Sequence, residues 1–422
     1  MVSGDLLGIA EGKVNDTRLY RCLDRLIPHK TKLERHLRQG YGELFAATFD
    51  VLLYDLTSSY VEGQAENNPM MRRGYSRDHR PDCEQVILAL IVNEDGFPLS
   101  YETFDGNRGD VTTLEVVMRM VERKYGKARR VWVFDRGVIN EDNLKALRKR
   151  DGQYLVGTPR AKLKEFEKQL LEGEWNQIRP DVEVQYILTP SGEETYLLCR
   201  STLRKGKETA MRNRVSTRME NALIKLEKRI ASGQLKDRSK IERTLGKIQA
   251  RHPSVNDLYQ MRVVENSDGL QLRWKLIEER RAWRDAREGA YLLRTNLKGE
   301  RPEELWKKYV QLTEAEAAFR ALKSELAIRP IFHQKEQRVK AHILVAFLGY
   351  ALWVTFKHIL QRNHADISPA RALSLLSTLQ SADIILPTTD AREIRLRRIT
   401  QPNAEQNIAR STRHRLTRSP QF

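Results

Sequence analysis

Eight consecutive residues, Gln85 to Val92 (QVILALIV), constrain this chain more than any other stretch. An apolar run this short, without polar alternation, reads as a central β-strand buried on both faces. Val51 to Tyr54 is a second tight apolar run. Residues Phe97 to Phe104 alternate and end at the turn dipeptide Gly106-Asn107, which completes an antiparallel meander of three strands. Downstream the period changes. A helix from Thr112 to Lys124 carries Leu114, Val117, Met118 and Val121 on its inner face, and strand Arg130 to Phe134, helix Glu141 to Arg148 and strand Tyr154 to Gly157 follow. A meander followed by alternating helix and strand predicts an α/β fold with a mixed sheet and flanking helices.

Around this core the chain divides by texture. Residues 1–48 read as a helical prelude, with Leu19, Leu23 and Leu26 on one stripe and Leu33, Leu37 and Leu44 on a second. The core's first part spans 49–160. Residues 161–298 read as an inserted domain: short alternating segments (Val182 to Leu188, Thr195 to Leu198, Leu270 to Ile277, Ala290 to Leu297) surround a long basic helical stretch. Val215, Met219, Ala222, Leu226 and Ile230 form one stripe, Gly233 interrupts, and Ile241, Leu245 and Ile248 resume, which predicts a helical hairpin. Its Lys and Arg residues fit either a solvated face or a DNA-tracking one. Residues 299–365 return to the core, and 366–422 form a C-terminal segment whose basic tail, from Ala409, is predicted to be disordered.

The charge balance narrows the partners. Lys and Arg total 74 against 56 Asp and Glu, a net +18, so the folded surface attracts a polyanion, with nucleic acid first in line. Membrane attachment is not expected, because the best apolar run, Ala341 to Phe356, falls short of bilayer thickness and reads as a core helix. Cys22, Cys83 and Cys199 are dispersed without a CxxC pair, which speaks against a disulfide framework and a zinc site. No export signal is read in Met1 to Lys13, so the expected compartment is the cytoplasm, with the nucleoid as its working place.

Two acidic residues follow apolar runs in the same manner: Asp55 after VLLY and Asp135 after VWVF. Carboxylates at the ends of adjacent strands converge, and converging carboxylates repel unless a cation lies between them, so a metal site is the functional reading. The structural alternative for Asp55 is an Asx turn with Thr57 or Ser58. His342, on an apolar helix, reads as a satisfied core histidine, and Trp274 and Trp283 as packing residues.

The segments YDLTSSY, GYSRDHRPDCEQVILALIV, PLSYETFDGNRGDVTTL, VFDRGVIN and YLVGTPR resemble, in order and spacing, the DDE-type transposases of bacterial insertion sequences, in the branch with a β-rich insertion before the final Glu. The resemblance implies a ribonuclease H-like core and a third ligand in a motif of Tyr, two residues, Arg, three residues, Glu, six residues, Lys. Tyr309, Glu316 and Lys323 stand at the matching places, with Leu312 where the Arg belongs. It implies Asp55, Asp135 and Glu316 as ligands of two Mg²⁺ ions (Mn²⁺ a possible substitute), and Lys323 with Tyr309 as phosphate-binding residues. On an α-helix Glu316, Arg320 and Lys323 share one face at i, i+4 and i+7. Arg320, and after it Arg136, are candidates for the missing positive charge. Glu316 has a competing reading, since Thr313-Glu314-Ala315-Glu316 has the form of a capping box. Glu314 and Glu325 are alternatives to Glu316.

The implied activity is Mg²⁺-dependent strand cleavage and strand transfer at the element's inverted-repeat ends, by a homodimer assembled on DNA. Two other readings stay open: a truncated DNA-binding relic, and a non-integrating nuclease on the same fold.

Overall fold

The computed structural model describes residues 16–63, 67–127, 129–190, 192–266, 269–388 and 392–407. The tail from Ala409 and the segment Met1 to Lys13 lie outside the described residues. The architecture is mixed α/β, and the chain divides into two compact units. One runs up to Val133 and resumes at Val310; the other is Phe134–Tyr309.

In the first unit the strands β1 (Val51–Tyr60), β2 (Gln85–Val92), β3 (Pro98–Asp105) and β4 (Val131–Phe134) lie in the order β3-β2-β1-β4. The first three form an antiparallel meander, with Leu90 of β2 between Asp55 and Tyr101. Every residue of β2 is buried, as its lack of polar alternation dictates. Helix α1 (Asp16–Leu26) and helix α2 (Lys30–Phe45) make the expected prelude. Helix α2 is tied to the sheet by a buried charge: Glu34 is wholly inaccessible, accepts from Ser100 Oγ at 2.8 Å, and pairs with Lys124 at 2.6 Å. Lys124 comes from α3 (Leu114–Tyr125), whose inner face buries the predicted Leu114, Val117, Met118 and Val121.

The apolar helix near the C-terminal end of this unit is longer than the sequence suggested. It runs Glu336–Arg362, 27 residues, and by length and composition it is capable of crossing a bilayer. It nevertheless buries Val339, Ile343, Phe347, Tyr350 and Val354, and Phe347 packs on Tyr101 of β3. His342 bonds through Nε2 to the Ile328 carbonyl at 3.0 Å, a satisfied core histidine.

In the second unit β5 (Gln153–Gly157), β6 (Asn176–Arg179), β7 (Val182–Leu188), β8 (Thr195–Ser201) and β11 (Ala290–Thr295) run in the order β5-β11-β8-β7-β6, all antiparallel. Strands that the sequence assigned to a separate insertion (161–298) therefore continue from β5, and the compact unit is broader than that span. Two helices, Thr202–Ala231 and Arg238–Arg251, form a hairpin that turns at Gly233, where φ is +74°. Met219, Leu223, Leu226, Ile241 and Leu245 make its core, covered by a two-stranded ribbon of β9 (Tyr259–Asn266) and β10 (Gly269–Leu276). Trp274 packs on this core, and Trp283 packs on the cluster around Leu163 and Leu198.

Candidate active site

Asp55 is placed by β1, but in its middle. The apolar run VLLY does not end the strand: β1 continues through Thr57, Ser58 and Ser59, all buried, to Tyr60, and Asp55 pairs across to Leu90. The Asx-turn alternative therefore falls. What reads locally as a polar turn is strand because the hydroxyls find distant partners: Ser58 Oγ accepts from Arg77 N at 3.1 Å, and Ser59 Oγ donates to the Ile328 carbonyl at 3.3 Å. Asp55 is the half-buried break in a run of buried residues, and its Oδ1 accepts from Leu56 N at 2.8 Å.

Glu316 lies on the helix Leu312–Arg320, which packs against β1. Ala315, Ala318, Phe319 and Leu322 repeat at i, i+3, i+4 and i+7 and are buried, so Glu316 and Arg320 fall on the exposed side. The capping box does not form. The helix begins one residue before Thr313, whose Oγ1 donates to the Val310 carbonyl at 2.8 Å. Of the alternatives to Glu316, Glu314 is engaged with Lys357 at 2.9 Å, and Glu325 is exposed at the end of the next turn.

That next turn departs from the α-helix. Ala321–Glu325 is π-helical, with Leu326 N donating to the Ala321 carbonyl five residues back at 3.0 Å. Single π turns within helices concentrate at functional sites. The extra residue breaks the i, i+4, i+7 phase, and Lys323, instead of continuing the exposed face of Glu316 and Arg320, pairs with Asp78 at 2.7 Å. Burial lowers the Lys323 amine below an ordinary lysine, the positive charges of Arg329 and Arg77 lower it further, and Asp78 opposes them.

Asp55 and Glu316 belong to the first unit and Asp135 to the second. Asp135 directly follows β4 and stands exposed at the head of the short turn Arg136–Val138. Tyr309 Oη donates to Asp135 Oδ1 at 3.4 Å. Gly157 of β5 makes this approach possible, since a Cβ there would stand 2.4 Å from Tyr309 Oη and 3.3 Å from Asp135 Oδ1. Burial raises the Tyr309 hydroxyl well above an ordinary tyrosine, and the charge of Asp135 raises it further, so it is a proton donor at neutral pH. Arg136 is exposed beside Asp135.

A family model for the transposase DDE domain matches residues 47–352. The chain belongs to the transposase DDE domain family. The match begins just ahead of β1 and ends inside Glu336–Arg362, so it takes in Asp55, Asp135, Tyr309, Glu316 and Lys323. The chain is also similar to a solved piggyBac transposase synaptic complex with hairpin DNA, at 7% identity and a TM-score of 0.38, over 89% of this chain. It spans 55% of that chain's length. No match is found among curated proteins.

Asp55, Asp135 and Glu316, two exposed and one half-buried, each carry oxygen donors alone, the donor type that a hard divalent ion takes. Among the described residues no group of three or more His, Cys, Asp or Glu side chains is gathered closely enough to hold a metal. The residue that sequence reasoning passed over is Asp78. Its loop, SRDHRP, contains nothing that marks one acid among several cations as buried.

Proposed function

We propose that this chain is the transposase of an insertion sequence, cutting DNA at the element's ends and joining those ends to target DNA, with Asp55, Asp135 and Glu316 as the ligands of two Mg²⁺ ions. Mn²⁺ would substitute. The observation that carries the reading is Asp55 itself: a carboxylate interrupting an otherwise buried strand, beneath the helix that bears Glu316, within a span matched end to end by the DDE domain family. A carboxylate in that setting costs stability unless it is used.

Two bound Mg²⁺ ions would activate a water or 3′-hydroxyl and stabilise the leaving oxygen of the phosphodiester. Like charges gathered without a cation repel, so assembly of the three carboxylates is coupled to ion binding. Tyr309 holds the Asp135 carboxylate by a donated hydrogen bond and thereby limits its rotation. Exposed Arg320 and Arg136 offer positive charge to the DNA backbone, and the net +18 supplies the long-range attraction. The partner is DNA, bound by a homodimer.

Leu312, where the family motif has an Arg, favours a second reading, an inactive DNA-binding relic. Mg²⁺-dependent nicking of a plasmid carrying the element's inverted repeats separates the two. Wild type should nick, and Asp135→Asn should bind the same ends without nicking. Tight binding by wild type with no nicking in Mg²⁺ or Mn²⁺ establishes the relic.

A further inference from the structure

Asp78 has no part in that mechanism, yet it is among the most deliberately placed acids in the chain. Its side chain is 1% exposed, and its Oδ1 accepts from two cations, Lys323 Nζ at 2.7 Å and Arg329 Nη1. Both cations come from the segment that follows Glu316. Lys323 sits in the π turn, and Arg329 lies beyond Ala327, whose φ of +46° turns the chain back toward Asp78. The second oxygen, Oδ2, is buried with no hydrogen-bond partner among the described residues. Buried polar atoms are ordinarily paired, so the cluster is not a fully satisfied structural ion pair.

The charge balance is a separate observation, and it points to an anion. One carboxylate against two cations leaves a surplus of +1 in a half-buried pocket. The adjacent Arg77 does not change the count, because Asp110 neutralises it at 2.6 Å. Surplus charge with restricted access to water is unfavourable unless a counter-charge arrives. A phosphodiester carries one negative charge and oxygens suited to a guanidinium and an ammonium together. The position is also right. Ile328, next to Arg329, accepts from Ser59, which shares its face of β1 with Asp55. Four residues of strand separate Ser59 from Asp55, roughly 13 Å.

Phosphate binding by Lys323 is already implied by the family motif; we infer that Arg329, aligned beside it by the buried carboxylate of Asp78, completes a two-cation seat for a DNA backbone phosphate flanking the scissile one and so supplies the guanidinium that Leu312 withholds. Asp78 is a positioning residue here: it acts through the cations and does not touch DNA. The inference rests on the proposed function, but its test is a binding measurement that requires no cleavage.

The full chain is titrated against a labelled duplex oligonucleotide by fluorescence anisotropy, without divalent ions, across a salt series. Lys323→Gln and Arg329→Gln should each weaken binding several-fold and lower the slope of log K against log salt by about 1, the signature of a lost phosphate contact. Asp78→Asn should weaken binding to a similar extent, yet add little in the Arg329→Gln background. Arg329→Lys should retain most of the salt slope. If Asp78→Asn does not fold, as judged by its melting curve, Arg329→Gln, Arg329→Lys and Lys323→Gln decide the matter.

Wild-type affinity and slope in Arg329→Gln would overturn the seat. Additive losses in the double variant, or tighter binding by Asp78→Asn, would overturn the positioning role. Plasmid nicking by wild type with unchanged Arg329→Gln binding sinks the seat and leaves the activity standing. Failure to nick, with the binding pattern intact, does the reverse.

Discussion

Gly157→Ala tests whether the geometry around Asp135 matters to the reaction. The glycine lies in ordinary extended strand, outside the positive-φ positions, so the backbone accepts alanine, and the loss of chain freedom in the unfolded state favours it by about 0.4–1 kcal/mol. The obstacle is spatial. The new Cβ would stand 2.4 Å from Tyr309 Oη and 3.3 Å from Tyr309 Cζ and Asp135 Oδ1. To restore van der Waals separation the hydroxyl must retreat by roughly 1 Å. At 3.4 Å its hydrogen bond to Asp135 has no such length to spare, and it breaks. Overpacking of this kind costs about 1–3 kcal/mol. Set against the backbone gain, net destabilisation is about 1–2 kcal/mol, a shift of a few degrees in melting temperature. If the Asp135 carboxylate, freed from that hydrogen bond, moves by about 1 Å in the proposed site, the cost can be on the order of 100-fold in rate. The variant should therefore melt within a few degrees of wild type yet nick plasmid DNA about 100-fold more slowly at saturating Mg²⁺. Tyr309→Phe removes the 2.4 Å clash, so Gly157→Ala in that background should lose far less than it does alone. Wild-type nicking by Gly157→Ala, or equal losses in both backgrounds, would refute the reasoning.

Other measurements bear on separate parts of the molecule. Glu34→Ala leaves the ammonium of Lys124, only 7% exposed, without its partner, and should lower stability by about 3–5 kcal/mol in urea unfolding. A loss below 1 kcal/mol would show that water reaches the site. DNA binding should weaken at alkaline pH earlier than an ordinary lysine predicts, because burial favours the neutral form of Lys323 despite Asp78. The sign is fixed: the amine is charged below its lowered pKa and binds phosphate, then loses the proton and the contact as pH rises through it. Lys323→Arg, charged throughout, should flatten that limb of the profile, and an unchanged profile would remove Lys323 from the binding surface. Asp142→Asn should leave nicking as it is, since the residue is exposed on the helix Glu141–Arg148 and belongs to none of the clusters described; a large loss would mean that the site extends beyond the proposed carboxylates.

The sheet was legible because its signals are local. An eight-residue apolar run without polar alternation has few homes other than a doubly covered strand, and β2 occupies one. The same reading misjudged β1, since Ser58 and Ser59 are held in the strand by partners up to 269 residues away, and no local window of sequence contains both ends of the longer bond. The buried partner of Lys323 was missed in the same way. The lysine's motif spacing assumes an unbroken α-helix, whereas the π turn at Ala321–Glu325 redirects its side chain to an acid 245 residues earlier in the chain.

These two departures have a common origin. Ser59 holds Ile328 against β1, and the segment so fixed carries Arg329 to the carboxylate that also receives Lys323. A residue added to the helical turn and hydroxyls buried in the strand both reduce intrinsic stability. Their shared product is a pair of cations at one buried acid, on the flank of the helix that bears Glu316. Local rules of sequence fail together where a fold spends stability on function, and here they fail around one cluster. The loss of the motif Arg at position 312 is then no evidence of decay, provided Arg329 binds the phosphate in its place.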